Sequence, residues 1–210
     1  MNIYPLKFPA VIQYLSSSLL FKKESSSKII YLTFDDGPSP DITPWVLEEL
    51  NKVKAKATFF CLGKNIKKYP DIFKQIIQNN HGVGNHTYFH LDGWRTKTNM
   101  YIEEVEQTEN LIEQFTRSQK IFRPPYGRIT PAQIKKLKAK AYEVILWTSI
   151  SGDFSHHLDT NKVIKKMMKH TKSGHILVFH DSKKAAKNLK AILPELLKGW
   201  HTKGYEFGLL

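Results

Sequence analysis

Apolar and polar positions alternate between two periodicities along the chain. Short apolar runs predict seven strands, at Ile29–Phe34, Ala57–Leu62, Gly82–Asn85, Lys120–Arg123, Tyr142–Trp147, His175–Phe179 and Gly204–Phe207. Between them, apolar residues recur every three or four positions, which predicts six helices, at Thr43–Val53, Pro70–Asn79, Asn99–Arg117, Thr130–Lys140, Thr160–Thr171 and Lys183–Lys203. Alternating strands and helices predict an α/β fold with a parallel sheet, and the pattern leaves open whether that sheet is flat or curled into a barrel.

Polar residues stand where several of the predicted strands end. This set comprises Asp35, Asp36, His86, the segment Arg123–Tyr126, Asp153 and His180. The carboxyl ends of parallel strands meet at one edge of a sheet, which is where α/β proteins assemble their active sites. We therefore expect these side chains to share one site.

The N-terminal region carries an apolar stretch, Phe8–Phe21, ahead of the first predicted strand. We interpret it as a helix packed on the domain, with peripheral membrane contact as an alternative. It is too short to cross a bilayer. A signal peptide is also disfavoured, because only Lys7 precedes the stretch, no Ala-x-Ala cleavage site follows it, and Lys22-Lys23 come directly after it. We expect an N-terminal extension over residues 1–27, a single domain over 28–210, and a cytoplasmic or peripherally membrane-associated protein.

Length and charge restrict the picture further. The 210 residues suit one domain with a sizeable core. The chain has a single cysteine, Cys61, so it cannot form an internal disulfide, and we interpret Cys61 as a core residue. The formal net charge of +13 indicates either a lysine-rich solvated surface or attraction to an anionic glycan or lipid surface. No nucleic-acid-binding motif accompanies the charge, so we expect no nucleic-acid partner. The oligomeric state is not readable from the sequence.

The pair Asp35-Asp36 is the first candidate for chemistry. Two carboxylates at the end of an apolar strand are costly to bury unless a cation or a proton compensates them. Asp36-Gly37-Pro38 is also good turn chemistry, so a plain turn is the competing interpretation.

His86 and His90 form the second candidate. Two histidines four residues apart can place both imidazoles on one face of a helical turn, a common way to bind a transition metal. A nearby carboxylate would complete a set of two nitrogens and one oxygen. Such a set leaves positions open for water and substrate, as catalytic sites do.

Two further segments supply candidate donors. Pro124 and Pro125 lack amide hydrogens, so the N–H of Tyr126 is the first available after Arg123 and is a plausible oxyanion donor. Arg123 needs an acidic partner, and Asp35 or Asp153 could provide it. His180 ends a buried strand and could donate a proton near neutral pH, although a histidine there can also be purely structural.

Five runs together resemble the polysaccharide deacetylase family of carbohydrate esterases, which includes chitooligosaccharide, peptidoglycan and chitin deacetylases and some acetylxylan esterases. The runs are TFDDGP (33–38), HTYFH (86–90), RPPYG (123–127), WTSISGDF (147–154) and ILVFH (176–180). They occur in the family's order, and the resemblance covers roughly residues 28 to 208. It implies a distorted (β/α) barrel with fewer than eight strands, consistent with the seven predicted here.

The resemblance also implies roles for individual residues. It makes Asp35 the general base, His180 the general acid, and Asp36, His86 and His90 the ligands of one divalent metal ion. By the same resemblance Arg123 orients Asp35, the Tyr126 N–H is an oxyanion donor, and Asp153 pairs with His180 or Arg123. Zinc suits two imidazoles and one carboxylate best, and cobalt, nickel or iron would also suit them.

The implied activity is removal of acetyl groups from N-acetylated oligo- or polysaccharides. Three alternatives stay open: an O-acetyl esterase of the xylan type, a glycan-binding module without catalysis, and an amidohydrolase for a non-sugar amide. Ile150 and Phe154 stand where the family often has an aspartate and a tryptophan, which puts the sugar-stacking wall in doubt. Trp94 could line a sugar groove, although packing is the commoner use of such a residue.

Overall fold

The structure, a computed structural model, describes residues 19–210. Its strands are β1 (Leu19–Leu20), β2 (Ile29–Asp35), β3 (Ala57–Cys61), β4 (Gly82–Asn85), β5 (Ile121–Phe122), β6 (Glu143–Ile145), β7 (Ser149–Ile150), β8 (Ile176–His180) and β9 (Glu206–Phe207). Its α-helices are α1 (Thr43–Lys52), α2 (Gly63–Lys68), α3 (Pro70–Gln78), α4 (Thr98–Glu113), α5 (Pro131–Ala139), α6 (Thr160–His170) and α7 (Ala186–Thr202). A 3₁₀ turn covers Pro125–Gly127.

The strands form one parallel sheet that curls round on itself. Its order is β1-β6-β5-β4-β3-β2-β8-β7, with β9 extending the sheet beside β2. Because β6 and β7 are consecutive in the chain but lie near opposite ends of this order, the segment 146–148 joins the two ends. The predicted α/β class and distorted barrel are thereby confirmed.

The N-terminal described segment lies where the two ends of the sheet approach each other. β1 pairs with β6, and the N–H of Leu146 donates to the carbonyl of Leu20 over 2.8 Å. On the other side, the Lys23 N–H donates to the carbonyl of Gly174 over 3.0 Å. This segment therefore connects β6 with the turn that precedes β8.

Three elements differ from the sequence predictions. The predicted helix at 8–21 lies outside the described residues except for its last three, of which Leu19 and Leu20 form a strand. β7 and α2 were not predicted, because β7 has two residues and α2 has few apolar positions. In the described part of the chain, no helix has both the length and the apolar character of a membrane span.

Side-chain alternation along the central strands separates two cores. Ile30, Leu32 and Phe34 of β2 pack outward in one buried cluster with α1, α3 and α7. Tyr31 of β2 instead belongs to a second cluster, with residues of β5, β6, α4 and α5. Since successive side chains of a strand point to opposite faces, Asp35 lies on the same inner face as Tyr31. Cys61 is fully buried, as predicted.

Candidate active site

Asp35 and His180 end neighbouring strands at the same level. β2 pairs with β8 in a register that sets Asp35 opposite His180. On β8, Leu177 and Phe179 pack in the outer cluster whereas Val178 packs in the inner one, so His180 shares the inner face with Asp35. The predicted meeting of polar residues at one edge of the sheet is confirmed for this pair.

Four residues around this edge have backbone conformations that residues other than glycine rarely adopt. In the described part of the chain eight non-glycine residues have positive φ, and four of them are Asp36 (80°), Thr87 (64°), His90 (64°) and Tyr126 (59°). Such conformations cost free energy and recur where a site must hold a side chain in a set direction. Their concentration here marks this edge of the sheet as the functional one.

Asp36, His86 and His90 converge on one point. Oδ1 of Asp36 lies 3.3 Å from Nε2 of His90 and 3.8 Å from Nε2 of His86. One ligand atom from each of the three residues lies within 4.8 Å of the other two. Ligand atoms bonded to a tetrahedral zinc ion at about 2 Å are about 3.3 Å apart, so this spacing suits such an ion. The convergence that the sequence predicted is therefore present.

Two of the three candidate ligand atoms, one from Asp36 and one from His86, are in a state that suits binding to a cation. Oδ1 of Asp36 is buried and, among the described residues, has no hydrogen-bond partner. Nδ1 of His86 contacts the carbonyl oxygen of Arg123 at 2.7 Å, which requires that nitrogen to carry the hydrogen. Nε2 of His86 is then the bare nitrogen, as metal-binding imidazoles require.

Burial keeps both imidazoles neutral. It lowers the pKa of His86 to about 3, helped by the repulsion that a protonated His90 would exert. Burial also lowers the pKa of His90, against the opposing attraction of Asp36 and Asp35. Neutral imidazole is the form that binds a metal ion, so these environments favour binding.

The expectation of a helical turn at 86–90 is wrong. This segment is a loop after β4, because Thr87 and His90 have left-handed backbone angles that end any helical path. Residues outside the loop hold it: the Thr87 N–H donates to Oδ1 of Asn85 over 3.0 Å, and the Phe89 N–H donates to Oε2 of Glu104 over 2.7 Å. The two histidines are thus brought together by a loop fastened to α4.

Arg123 meets Asp35, one of its two expected partners. Nη1 of Arg123 donates to Oδ1 of Asp35 over 2.7 Å and to Oγ1 of Thr33 over 2.6 Å. Nη2 donates to the carbonyl of Leu146 over 3.1 Å, and the guanidinium lies over the Phe60 ring, 4.1 Å from its centroid. The arginine is fully buried, and burial lowers its pKa although Asp35 opposes the shift. One carboxylate oxygen of Asp35 is therefore fixed in position.

Asp153 meets His180. Its Oδ1 accepts from Nδ1 of His180 over 2.7 Å, and its Oδ2 accepts from the His180 N–H over 2.9 Å. Burial alone would lower the pKa of His180, but the attraction and the hydrogen bond of Asp153, together with the attraction of Asp36 and Asp35, raise it to about 9. His180 therefore carries a proton at neutral pH, and its Nε2 is left for another partner. The half-buried Phe154 ring packs edge-on against His180 at 5.0 Å.

Tyr126 stands beside the metal-ligand candidates. The centroid of its exposed ring lies 4.6 Å from the centroid of the His90 ring.

The sequence analysis did not identify Asp181, the residue after His180, as part of the site. Asp181 is fully buried and contacts both α1 and the loop after β2. A buried acid after a strand-terminal histidine was visible in the sequence, but its partners lie about 140 positions away.

The site has counterparts in known proteins. Residues 22–145 match a family model described as polysaccharide deacetylase. The chain is 32% identical, over 191 residues, to a peptidoglycan-N-acetylglucosamine deacetylase of Bacillus cereus, with 87% of this chain and 86% of that protein covered. A crystal structure of a peptidoglycan N-acetylglucosamine deacetylase in complex with 4-naphthalen-1-yl-N-oxidanyl-benzamide superimposes with a TM-score of 0.89 at 26% identity, covering 97% of this chain and 95% of that one.

Other relatives are longer than this chain. A peptidoglycan-N-acetylglucosamine deacetylase of Listeria monocytogenes is 30% identical over 200 residues, which are 93% of this chain but 41% of that protein. The similarity to that relative is thus restricted to part of its length.

Proposed function

The chain belongs to the polysaccharide deacetylase family, and from that premise we propose that it is a metal-dependent hydrolase that removes N-acetyl groups from saccharides containing N-acetylglucosamine. The observation that carries the proposal is the grouping of Asp36, His86 and His90 beside a second carboxylate, Asp35, that is fixed by Arg123 instead. A site for glycan binding alone needs neither that second carboxylate nor a protonated histidine opposite it. The relatives named for peptidoglycan deacetylation support a glycan of the cell-wall type.

We assign Asp36, His86 and His90 as the ligands of one divalent ion, with zinc as first choice. Two imidazole nitrogens and one carboxylate oxygen suit zinc, and they suit cobalt, nickel or iron as well. The orphaned Oδ1 of Asp36 and the bare Nε2 of His86 support this assignment. When bound, such an ion supplies Lewis acidity, which lowers the pKa of water and polarises the acetyl carbonyl.

Asp35 is assigned as the general base. It takes the proton of the attacking water, and the bond from Arg123 to its Oδ1 holds the carboxylate in the orientation for that transfer. Arg123 is therefore a positioning residue.

His180 is assigned as the general acid, and Tyr126 as an oxyanion donor. As the carbonyl carbon becomes tetrahedral, the N–H of Tyr126 donates to the developing negative charge on the acetyl oxygen. Nε2 of His180 then gives its proton to the departing sugar nitrogen, so the products are acetate and a free amine. Asp153 supports this step because it keeps His180 protonated and fixes the direction of the ring.

Acetate release from a panel of acetylated compounds tests the proposal. We expect release from N-acetylglucosamine oligomers, loss of activity in a chelator, and recovery when zinc, but not magnesium, is added back. His86→Ala should fail to recover with zinc. An N-aryl or other non-sugar amide and acetylated xylan serve as comparison substrates, and faster turnover of either would replace the proposed substrate class. Absence of acetate from every compound in the zinc-loaded protein would refute a hydrolase function.

A further inference from the structure

An exposed aromatic surface continues from the candidate metal centre. It consists of Tyr126, Arg128 and Trp94, and we call it the Trp94 surface. Tyr126 and Trp94 are each 57% exposed, an unusual fraction for rings of this size. The Arg128 guanidinium lies over both rings, 5.6 Å from the centroid of Tyr126 and 5.2 Å from that of Trp94. Because Tyr126 packs on His90, the surface is continuous with the metal-ligand candidates.

Trp94 is held in place although it is exposed. Its indole Nε1 donates to the carbonyl of Ile129 over 3.2 Å, and its backbone N–H donates to Oδ1 of Asp92 over 3.0 Å. The other carboxylate oxygen of Asp92 accepts from Nη1 of Arg128 over 2.6 Å. A ring that is fixed before binding loses little conformational entropy when a ligand covers it.

The loop of Trp94 is also packed tightly on the loop of Arg128. A Cβ on Gly93 would lie 2.3 Å from the Arg128 carbonyl oxygen, so this approach requires glycine. The side chain of Gln133 donates to the Gly93 carbonyl over 2.8 Å and to that of Thr96 over 3.3 Å. These contacts fasten the loop from several sides and make the Trp94 surface a preformed platform.

The chemistry of this platform matches a pyranose ring. A pyranose has a face of C–H groups that suits an aromatic ring, and a rim of hydroxyl groups that hydrogen-bond to charged side chains such as Arg128 and Asp92. We propose that the Trp94 surface binds a sugar ring of the substrate glycan, on the His90 side of the reacting acetyl group and beyond the ring that carries it. This inference rests on the proposed function, because it supposes that a glycan occupies the site.

The proposal predicts a dependence on glycan length. Tyr126 adjoins His90, whereas Trp94 lies beyond Arg128, so a ring that occupies the reaction centre does not itself reach Trp94. We expect a β-1,4-linked N-acetylglucosamine tetramer, but not a dimer, to reach Trp94 itself from the reaction centre. Removing the indole should therefore weaken binding of the tetramer and leave binding of the dimer unchanged.

Kinetics of Trp94→Ala on tetramer and dimer test the inference. We expect KM for the tetramer to rise about tenfold with kcat nearly unchanged, and the dimer's kinetics to match the wild type. Trp94→Tyr keeps an aromatic face and should recover most of the loss. Met100→Ala removes an equally exposed apolar side chain from α4 and should have no effect. Equal changes in KM for both substrates, or none for either, would overturn the proposal.

Fluorescence separates this inference from the proposed function. Trp94 is the exposed one of the four tryptophans, all of which lie in the described residues, so saccharide bound to it changes the emission. The tetramer should shift the emission of the metal-free wild type, which cannot turn over, and should not shift that of Trp94→Tyr. A shift without acetate release in the metal-loaded protein would refute the hydrolase and keep the subsite. Acetate release without a shift would refute the subsite and keep the hydrolase.

Discussion

The Gly37 N–H donates a hydrogen bond to Oδ1 of Asp181 over 3.0 Å, which links the loop that carries Asp36 to the strand that carries His180. Oδ2 of the same carboxylate accepts from the Thr43 hydroxyl over 2.6 Å, and the Asp181 N–H donates to the Asp35 carbonyl over 3.1 Å. The fit is close, because a Cβ on Gly37 would lie 2.0 Å from Oδ2 of Asp181. Asp181 therefore sets the position of the loop through its contacts rather than by touching substrate.

Asp181→Ala should loosen the candidate metal centre. The variant leaves the buried N–H of Gly37 and the hydroxyl of Thr43 without their acceptor, which should lower the free energy of unfolding by about 1–3 kcal/mol. Because Asp36 precedes Gly37, we also expect zinc affinity to fall about 10- to 100-fold, as when supports of metal ligands are removed. Chelator competition measures the affinity. Asp181→Asn retains an acceptor for Gly37 and should lose less, and wild-type affinity in Asp181→Ala would contradict the positioning role.

His180→Ala should separate amide from ester substrates. An amine leaves poorly unless it is protonated, so kcat on an N-acetylated sugar should fall at least tenfold and as far as 10⁴-fold. An activated aryl acetate has a leaving group that needs no proton, and its hydrolysis should change much less. Steady-state kinetics on both substrates measure the ratio. An equal loss on the two substrates would indicate that His180 holds the fold or the substrate instead of donating a proton.

Asp153→Asn should move the alkaline limit of activity to lower pH. Asp153 is the main reason that the pKa of His180 is raised to about 9, and the acid form of His180 is the working one. Activity should therefore be present below that pKa and lost above it, and removal of the Asp153 charge lowers the pKa and brings the loss to lower pH. The pH dependence of kcat over pH 6–10 measures the shift. An unchanged alkaline limb would show that it reports another group.

Arg123→Met should destabilise the fold more than the double variant Arg123→Met/Asp35→Asn. The single change leaves the Asp35 charge buried without its guanidinium, which costs about 3–5 kcal/mol in comparable sites. In the double variant the charge is gone, so part of the free energy of unfolding should return, while acetate release stays absent because the base is lost. Denaturant unfolding of the four proteins in this cycle measures the coupling. Additive losses would show that the pair is not energetically coupled.

Sequence reasoning could place the strand ends, and with them the shared site of Asp35, His86 and His180, because strand polarity puts carboxyl ends together. It could not predict the backbone conformation between the two candidate metal ligands His86 and His90. The pair His86 and His90 fits a helical turn by spacing, but the backbone of Thr87 is left-handed and the segment is a loop.

Supporting residues were missed for a different reason. Glu104 and Asp181 are ordinary acids in the sequence, and their importance depends on partners 15 and 144 positions away. Strands of two residues, such as β7, cannot be predicted from the sequence because they carry too few side chains to show an apolar periodicity. Apolar periodicity determines elements, whereas these contacts depend on how the elements pack.

His81, which plays no part in the proposed chemistry, gives a prediction about stability. Its side chain is largely buried, its Nδ1 accepts from the Ala57 N–H over 3.3 Å, and its ring packs edge-on against Phe59 at 5.4 Å. Burial, aided by the charge of Lys56, lowers its pKa from 6.5 to about 4. Between these two values the unfolded chain binds a proton that the folded protein does not.

The sign of the pH effect follows from that difference. The contribution of His81 to stability is complete above pH 6.5 and is lost as pH falls toward 4, by up to about 3 kcal/mol. His81→Gln keeps an acceptor for the Ala57 N–H but does not titrate, so its unfolding free energy should fall less over this range. Other groups that titrate contribute equally to both proteins, and therefore the difference between the two curves isolates His81. Parallel curves from pH 7 to 4 would show that the imidazole takes up its proton equally in both states, because water reaches it in the folded protein.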